Sequence, residues 1–264
     1  MRISGATVLL TGATGGIGRT LARQLHARGA RLILTGRRGD ELRALARQLG
    51  ARAVTADLSD PDETRLLAEE SADAQILIAN AALPASGYLL DYTSEQIDRA
   101  LTVNLGAPIL LARLLAPSMA EAGRGHLCFV GSLSGKAATP ASSLYTATKF
   151  GLRGFAHSLR QDLRGAGVGV SLVQPGFVGE AGMFADTGAP VPGGRRTVSP
   201  AEVADAVLTA IDRDRAETNI APMPLRLRCA IANQFPGLAE KLGPADEGSR
   251  DAARQIVEAQ RALR

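Results

Sequence analysis

The sequence predicts an α/β fold: a doubly wound parallel sheet flanked by helices on both faces, with a helical C-terminal extension. Three observations predict it. Strand-like and helix-like segments alternate from residue 6 to about 221, the pattern of βαβ units whose crossovers make a sheet parallel. Segments such as Val8-Leu9-Leu10 and Ile76-Leu77-Ile78 are continuously apolar, as strands covered on both faces must be. Beyond residue 222 the alternation weakens, and 225–242 and 246–263 read as helices added to the sheet. The expected organisation is one sheet-bearing domain over 1–221 and a helical extension over 222–264, packed on or near it.

Each element follows from its own residues. An apolar run at 6–10 enters a glycine-rich turn. Residues 17–28 have helical spacing, with Leu21 and Leu25 on one face, and stop at Gly29. Strand-like segments follow at 31–35, 51–56, 75–79, 126–130, 168–173 and 218–221. Between them lie helical segments at 40–49, 60–71, 94–122, 144–164 and 199–213. Asp60, Asp62 and Glu63 suit the positive end of the 60–71 helix, and Ser199-Pro200 is a helix-start signal. Residues 179–197 are rich in Gly, Pro and Ala and predict a loop, with the character of a lid.

Composition removes several classes of function. The chain has 264 residues, 45% of them hydrophobic, enough for a substantial core. Its net charge of +4 comes without a basic block or a basic-aromatic stripe, so nucleic-acid binding is not expected. No apolar stretch runs uninterrupted for the ~18–20 residues of a membrane span. Met1–Gly5 leads straight into a strand, so no signal peptide is expected. Cys128 and Cys229 form neither a CxxC pair nor a disulfide framework; a cytoplasmic setting without structural zinc is the expectation. His26, His126 and His157 lie on separate elements and have no metal-ligand spacing. Lysine occurs only at 136, 149 and 241, against 27 arginines, so each lysine marks a place that requires an ammonium.

Three constellations carry chemistry. The first is Thr11-Gly12-Ala13-Thr14-Gly15-Gly16-Ile17-Gly18, between the first strand and first helix. A dinucleotide diphosphate needs backbone N–H groups and the positive end of a helix close by, and a Cβ there would hold it off. Gly12, Thr14, Gly16, Ile17 and Gly18 are the candidate contacts. The second is Gly36-Arg37-Arg38, at the end of the second strand. Where a carboxylate would accept from a ribose 2′-OH, this chain has glycine followed by guanidinium groups. Arg37 suits a 2′-phosphate, which favours NADP(H) over NAD(H). The third is Ser132, Tyr145 and Lys149. Tyr145 and Lys149 share a helix face, and Ser132 follows the fifth strand. A phenol titrates near pH ~10, and a neighbouring ammonium would lower that; a fall of about 3 pKa units needs roughly 4 kcal/mol. Such a phenol acts as general acid and base at a carbonyl that Ser132 polarises.

On these residues the sequence resembles the short-chain dehydrogenase/reductase family, in its single-domain Rossmann-type form, over residues 5–221. The resemblance implies a hydride-transferring oxidoreductase acting on a small carbonyl or secondary alcohol, with 1–221 as NAD(P)-binding catalytic domain. It implies that Asn104 completes a catalytic tetrad by holding a water against the lysine. It places Asp57 and Leu58 at the adenine, Asn80 in the stretch Ala79-Asn80-Ala81-Ala82, and Pro175, Gly176 and Val178 beside the nicotinamide. Tyr145 and Lys149 then also touch the cofactor, Lys149 at the nicotinamide ribose. Ala82 departs from the family's glycine, and Glu180 stands where a threonine often follows. The resemblance further implies a homodimer or homotetramer joined through the helices of Asn104 and Tyr145, where Ala147, Gly151, Gly154 and Ser158 are small. Two other readings are a cofactor-binding sensor or scaffold with little turnover, and membrane attachment through 225–242. Pro236-Gly237 argues against the latter, and a membrane partner is not expected.

Overall fold

The computed structural model describes residues 1–189, 191, 196–235, 237 and 247–261. Seven strands form one parallel sheet: β1 (Thr7–Leu10), β2 (Arg31–Gly36), β3 (Arg52–Thr55), β4 (Ile76–Ala79), β5 (Gly125–Val130), β6 (Val168–Pro175) and β7 (Glu217–Ile220). Their spatial order is β3-β2-β1-β4-β5-β6-β7, all neighbours parallel. The order reverses between β1 and β4, and a crevice opens at the carboxyl ends of the strands there. β1 and β4 are fully buried, as their continuous apolar runs require. β3 is an edge strand and mostly exposed.

Helices cover both faces. On one side α1 (Gly16–Ala27), α2 (Gly39–Leu49) and α7 (Pro200–Asp212) bury Leu21, Leu42 and Val207 against Val8, Leu34 and Ile76. On the other, α3 (Pro61–Glu70), α5 (Ala107–Glu121) and α6 (Ser143–Asp162) bury Leu67, Leu111 and Leu152 against Leu9, Leu77 and Phe129. Strand alternation sends neighbouring side chains into the two layers, so every residue of a central strand is committed to core. Asp60 caps α3, accepting from the backbone N–H of Asp62 at 2.7 Å. Cys128 and Cys229 are both buried, and neither forms a disulfide.

Two expectations need correction. The segment 94–122 is not one uniform helix. It comprises α4 (Ser94–Leu101), a π-helical turn at Thr102–Gly106, and α5. The π turn is a wider loop of the same rod, and Asn104 sits inside it, tied to Leu83. By length and composition Ser94–Glu121 could cross a membrane, a property that uninterrupted runs do not reveal; half of its most apolar 18-residue window is buried in the protein. The helix expected over 225–242 is α8 (Met223–Gln234), which ends just before Phe235-Pro236 because the residue preceding proline is disfavoured in helical conformation. Residues 238–242 lie outside the described residues. The final helix, α9, spans Glu247–Arg261. In the predicted loop, Val198 pairs with Val178 and Ala185–Thr187 forms a short 3-10 turn; residues 190 and 192–195 lie outside the described residues.

Candidate active site

The carboxyl ends of the strands open onto one cavity of about 1440 Å³. Every candidate catalytic or cofactor residue lines it except Asn104. Its two halves meet at β1 and β4, where the sheet order reverses.

The glycine turn forms one end. Gly12 has φ +66°, and a Cβ on it would lie 2.9 Å from Ala81 Cα. A Cβ on Gly16 would lie 2.6 Å from Ala181 Cβ, so the loop after β6 folds back onto this turn. α1 starts at Gly15 without a side-chain cap and has no acidic residue in its first turn. Its first N–H groups and its positive end therefore face the cavity uncompensated by any carboxylate. Asn80 welds β4 to the turn: its Nδ2 donates to Thr11 O at 3.0 Å, and its own N–H donates to Thr11 Oγ1 at 3.0 Å. The side chain expected to touch the cofactor lines the cavity and also shapes the turn.

The two arginines after β2 have separate tasks. Arg38 donates to Thr14 O at 2.7 Å and pairs with Glu41 at 3.3 Å. It braces the glycine turn. Arg37 is exposed at the cavity edge, and its charge is felt by Asp57. Burial would raise the Asp57 carboxyl, but hydrogen bonds from Ser59 and the charges of Arg37 and Arg99 outweigh it and hold the group low. Asp57 also anchors the chain locally, accepting from Ser59 N at 2.9 Å. Leu58 is buried beside it.

At the other end Ser132, Tyr145 and Lys149 converge. Ser132 leaves β5 in extended backbone, and its Oγ accepts from Ser134 N at 3.2 Å. Tyr145 and Lys149 project from the first turns of α6. Tyr145 is hydrogen-bonded to Ser132, and the Lys149 ammonium lies 5.6 Å from the phenol ring centroid. Lys149 Nζ donates to Val130 O at 3.3 Å, deep in the wall. Burial lowers its pKa to about 8. Burial raises the Tyr145 phenol, and the Ser132 hydrogen bond offsets only part of that. The sequence led to the expectation of a phenol made acidic by the ammonium. In the folded chain burial dominates, and it weakens the lysine's own charge as well.

Asn104 stands behind the wall. Its Oδ1 accepts from Leu83 N at 2.6 Å and its Nδ2 donates to Leu83 O at 3.0 Å. This two-way clasp fixes the segment after β4, whose Leu83 lines the cavity. The clasp engages both ends of the amide and places Asn104 behind the cavity wall.

Pro175, Gly176 and Val178 continue β6 into the cavity, with Gly176 N–H donating to Ile220 O at 2.8 Å.

Sequence reasoning missed one group beside the site. Glu217 on β7 is 15% exposed and receives Lys136, Arg153 Nε at 2.9 Å and His157 Nε2 at 2.8 Å. These side chains come from the Ser132 loop and from α6, so one carboxylate ties the supports of Ser132, Tyr145 and Lys149 together. Burial pushes the carboxyl up, and the three hydrogen bonds outweigh it, holding Glu217 at about 2. The scarcity of lysine was the available signal, since Lys136 is one of three.

Comparison with known proteins agrees with this geometry. The family model described as short chain dehydrogenase matches residues 6–190. The chain is 33% identical over 254 residues to a ketoacyl reductase, HetN, of Nostoc, covering 91% of this chain and 88% of that one. Among solved structures, a short-chain dehydrogenase from Sphingobium yanoikuyae in complex with NADPH superposes with a TM-score of 0.77. It is 31% identical, with 91% of this chain and 97% of that chain covered. A metagenomic short-chain oxidoreductase in complex with NADP gives 0.71 at 33% identity, over 84% and 99% of the two chains. A parallel seven-stranded sheet, a glycine turn at its switch point and a Ser-Tyr-Lys group at the far end of one cavity thus coincide with matches in sequence and structure, and the chain belongs to the short-chain dehydrogenase family.

Proposed function

We propose that the chain is an NADP(H)-dependent oxidoreductase interconverting a carbonyl and a secondary alcohol, with Tyr145 as general acid and base. The observation that carries the reading is that the glycine turn and the Ser132–Tyr145–Lys149 group line the same cavity. The residues fit the cofactor. The N-terminal end of α1 is open to a diphosphate and Arg37 to a 2′-phosphate. The Pro175–Val178 segment and Lys149 border the nicotinamide end. When bound, the nicotinamide supplies or accepts hydride.

The chain's own residues manage the oxygen. Ser132 and Tyr145 hold it by hydrogen bonds. A phenol whose pKa is raised keeps its proton near neutrality, which suits a donor in carbonyl reduction. As the proton leaves, the Ser132 hydrogen bond and the Lys149 ammonium stabilise the phenolate. With the Asn104 amide clasping Leu83, a water relay at this position would rest on a backbone carbonyl of the π turn. The thiols of Cys128 and Cys229, outside any disulfide, suit a reducing, cytoplasmic setting. Leu101, Leu114 and Phe150 are exposed on α4, α5 and α6, and a homo-oligomer joined there would cover them.

The test is NADPH oxidation with a ketone and aldehyde panel, run beside Tyr145→Phe. General acid–base catalysis contributes about 10²–10⁴-fold, so the variant is expected to lose that much in kcat while still binding NADPH. Equal turnover by both proteins refutes the role of Tyr145. Tight NADPH binding without turnover on any substrate would favour a sensor.

A further inference from the structure

Helix α9 belongs to the extension, yet one side of it forms part of the catalytic cavity. Ala253, Ile256, Val257 and Gln260 border that cavity. Their spacing puts them on one face of a helix. Val257 and Gln260 are 9% and 3% exposed, while Gln255, Glu258 and Arg261 are exposed on the rest of α9. The helix is held in place across the sequence by a hydrogen bond from Ser86 N to Gln260 Oε1, at 3.3 Å. Facing it, Met183 and Phe184 come from the loop after β6, and Leu225, Cys229 and Ala232 from α8. The charged residues at this end, Asp186, Arg228 and Arg254, are all exposed, and Arg254 is paired with Asp251 at 3.4 Å. An occupant therefore meets apolar side chains from three segments, with charge only at the rim.

From this we infer that α9 is the specificity wall of the active site and that the wall selects a carbonyl or alcohol borne on a bulky apolar group. The inference rests on the oxidoreductase reading for its chemistry but not for its binding site. An apolar wall rewards a ligand by the surface it removes from water, and one misplaced group in such a pocket changes discrimination about 10–200-fold.

The experiment uses the full-length chain with benzophenone as bulky probe and butanone as small one. Turnover is followed with NADPH, and benzophenone binding to the NADP⁺-loaded protein by calorimetry. Val257→Trp fills the wall and is expected to weaken benzophenone binding, and to lower its kcat/KM relative to butanone, by roughly tenfold or more. Val257→Ala widens the wall and moves the ratio the other way, which serves if the tryptophan variant does not fold. Glu258→Trp, on the outer side of α9, keeps the wild-type ratio. A ratio that ignores Val257, or moves as much for Glu258, overturns the inference, as does a wild-type protein that binds no benzophenone. If benzophenone binds in a Val257-dependent way and neither ketone is turned over, the wall stands and the oxidoreductase reading falls. If butanone is turned over and benzophenone is not bound, the reverse holds.

Discussion

Lys149 shows how a single residue can serve chemistry against stability. It is 3% exposed, and burial lowers its amine pKa to about 8 from an ordinary 10.5. Below about pH 8 the folded chain carries a charge that the unfolded chain keeps hydrated, so the lysine is destabilising there. As pH rises from 8 to 10.5 the folded state has lost the proton and the unfolded state still binds it, and the penalty is relieved. The shift corresponds to about 3 kcal/mol at neutral pH. Lys149→Met removes that penalty but leaves Val130 O without its donor, which costs about 1–3 kcal/mol. The expected outcome is an inactive protein whose stability at pH 7 equals or exceeds wild type by up to about 2 kcal/mol, with its standing relative to wild type falling toward pH 10. Denaturant melts at the two pH values check this; an equal loss of stability at both would contradict it. Arg37 and Arg38 make a similar point in sequence neighbours. One braces the turn through Thr14 and the other is left facing the cavity.

At the scale of elements, the Ser132–Tyr145–Lys149 group is assembled from parts that have no local reason to stay together. The Ser132 loop leaves β5, Tyr145 and Lys149 sit on α6, and β7 lies at the sheet edge. Glu217 joins them through Lys136, Arg153 and His157. Because the carboxyl is held at about 2 against an ordinary 4.5, its stabilisation is complete above pH 4.5 and is lost as pH falls toward 2. The shift is on the order of 3 kcal/mol for a group this buried. Glu217→Gln is expected to lower Tm at pH 7, where it leaves partly buried cations uncompensated, and to approach wild type progressively as pH falls from 4.5 toward 2. Parallel melting curves from pH 7 to pH 3 would show that the carboxylate is not the tie. Another inter-element clasp, Asn104 of the π turn on Leu83, carries no charge and should be indifferent to pH.

At the scale of the molecule, the cavity is lined from Gly12 near the start to Gln260 near the end of the described chain. A dinucleotide lying across it would bridge both halves of the sheet, and binding to the folded state alone stabilises the whole domain. At one hundred times Kd the gain is about 2.7 kcal/mol. For a chain of this size that is a Tm rise of roughly 5–10 °C. NADPH is expected to give the larger shift at equal concentration, NADH a smaller one, and Arg37→Ala to abolish the difference. Equal shifts from both dinucleotides in the wild-type protein would remove Arg37 from cofactor choice.

Much of this was legible in the residues. Periodicity gave the order of strands and helices because an apolar stripe or run is a local property that burial enforces wherever the segment packs. The glycine turn, Ser132, Tyr145 and Lys149 were legible because short spacings on a strand end and a helix fix their faces. The partners were not. That Arg38 rather than Arg37 grips Thr14, that the Asn104 amide clasps Leu83, and that Glu217 gathers Lys136, Arg153 and His157 are contacts between residues distant in sequence or indistinguishable by type. The direction of the Tyr145 phenol also escaped, since the cost of burying charge depends on the walls around it and not on the lysine four residues on. The sequence by itself determined a parallel α/β sheet with a dinucleotide turn and a phenol–amine pair on one helix face, because local periodicity and spacing suffice for both. Tertiary structure alone decided the protonation balance of that pair and the wall that α9 sets over it, because desolvation and enclosure exist only once distant segments have closed around the same space.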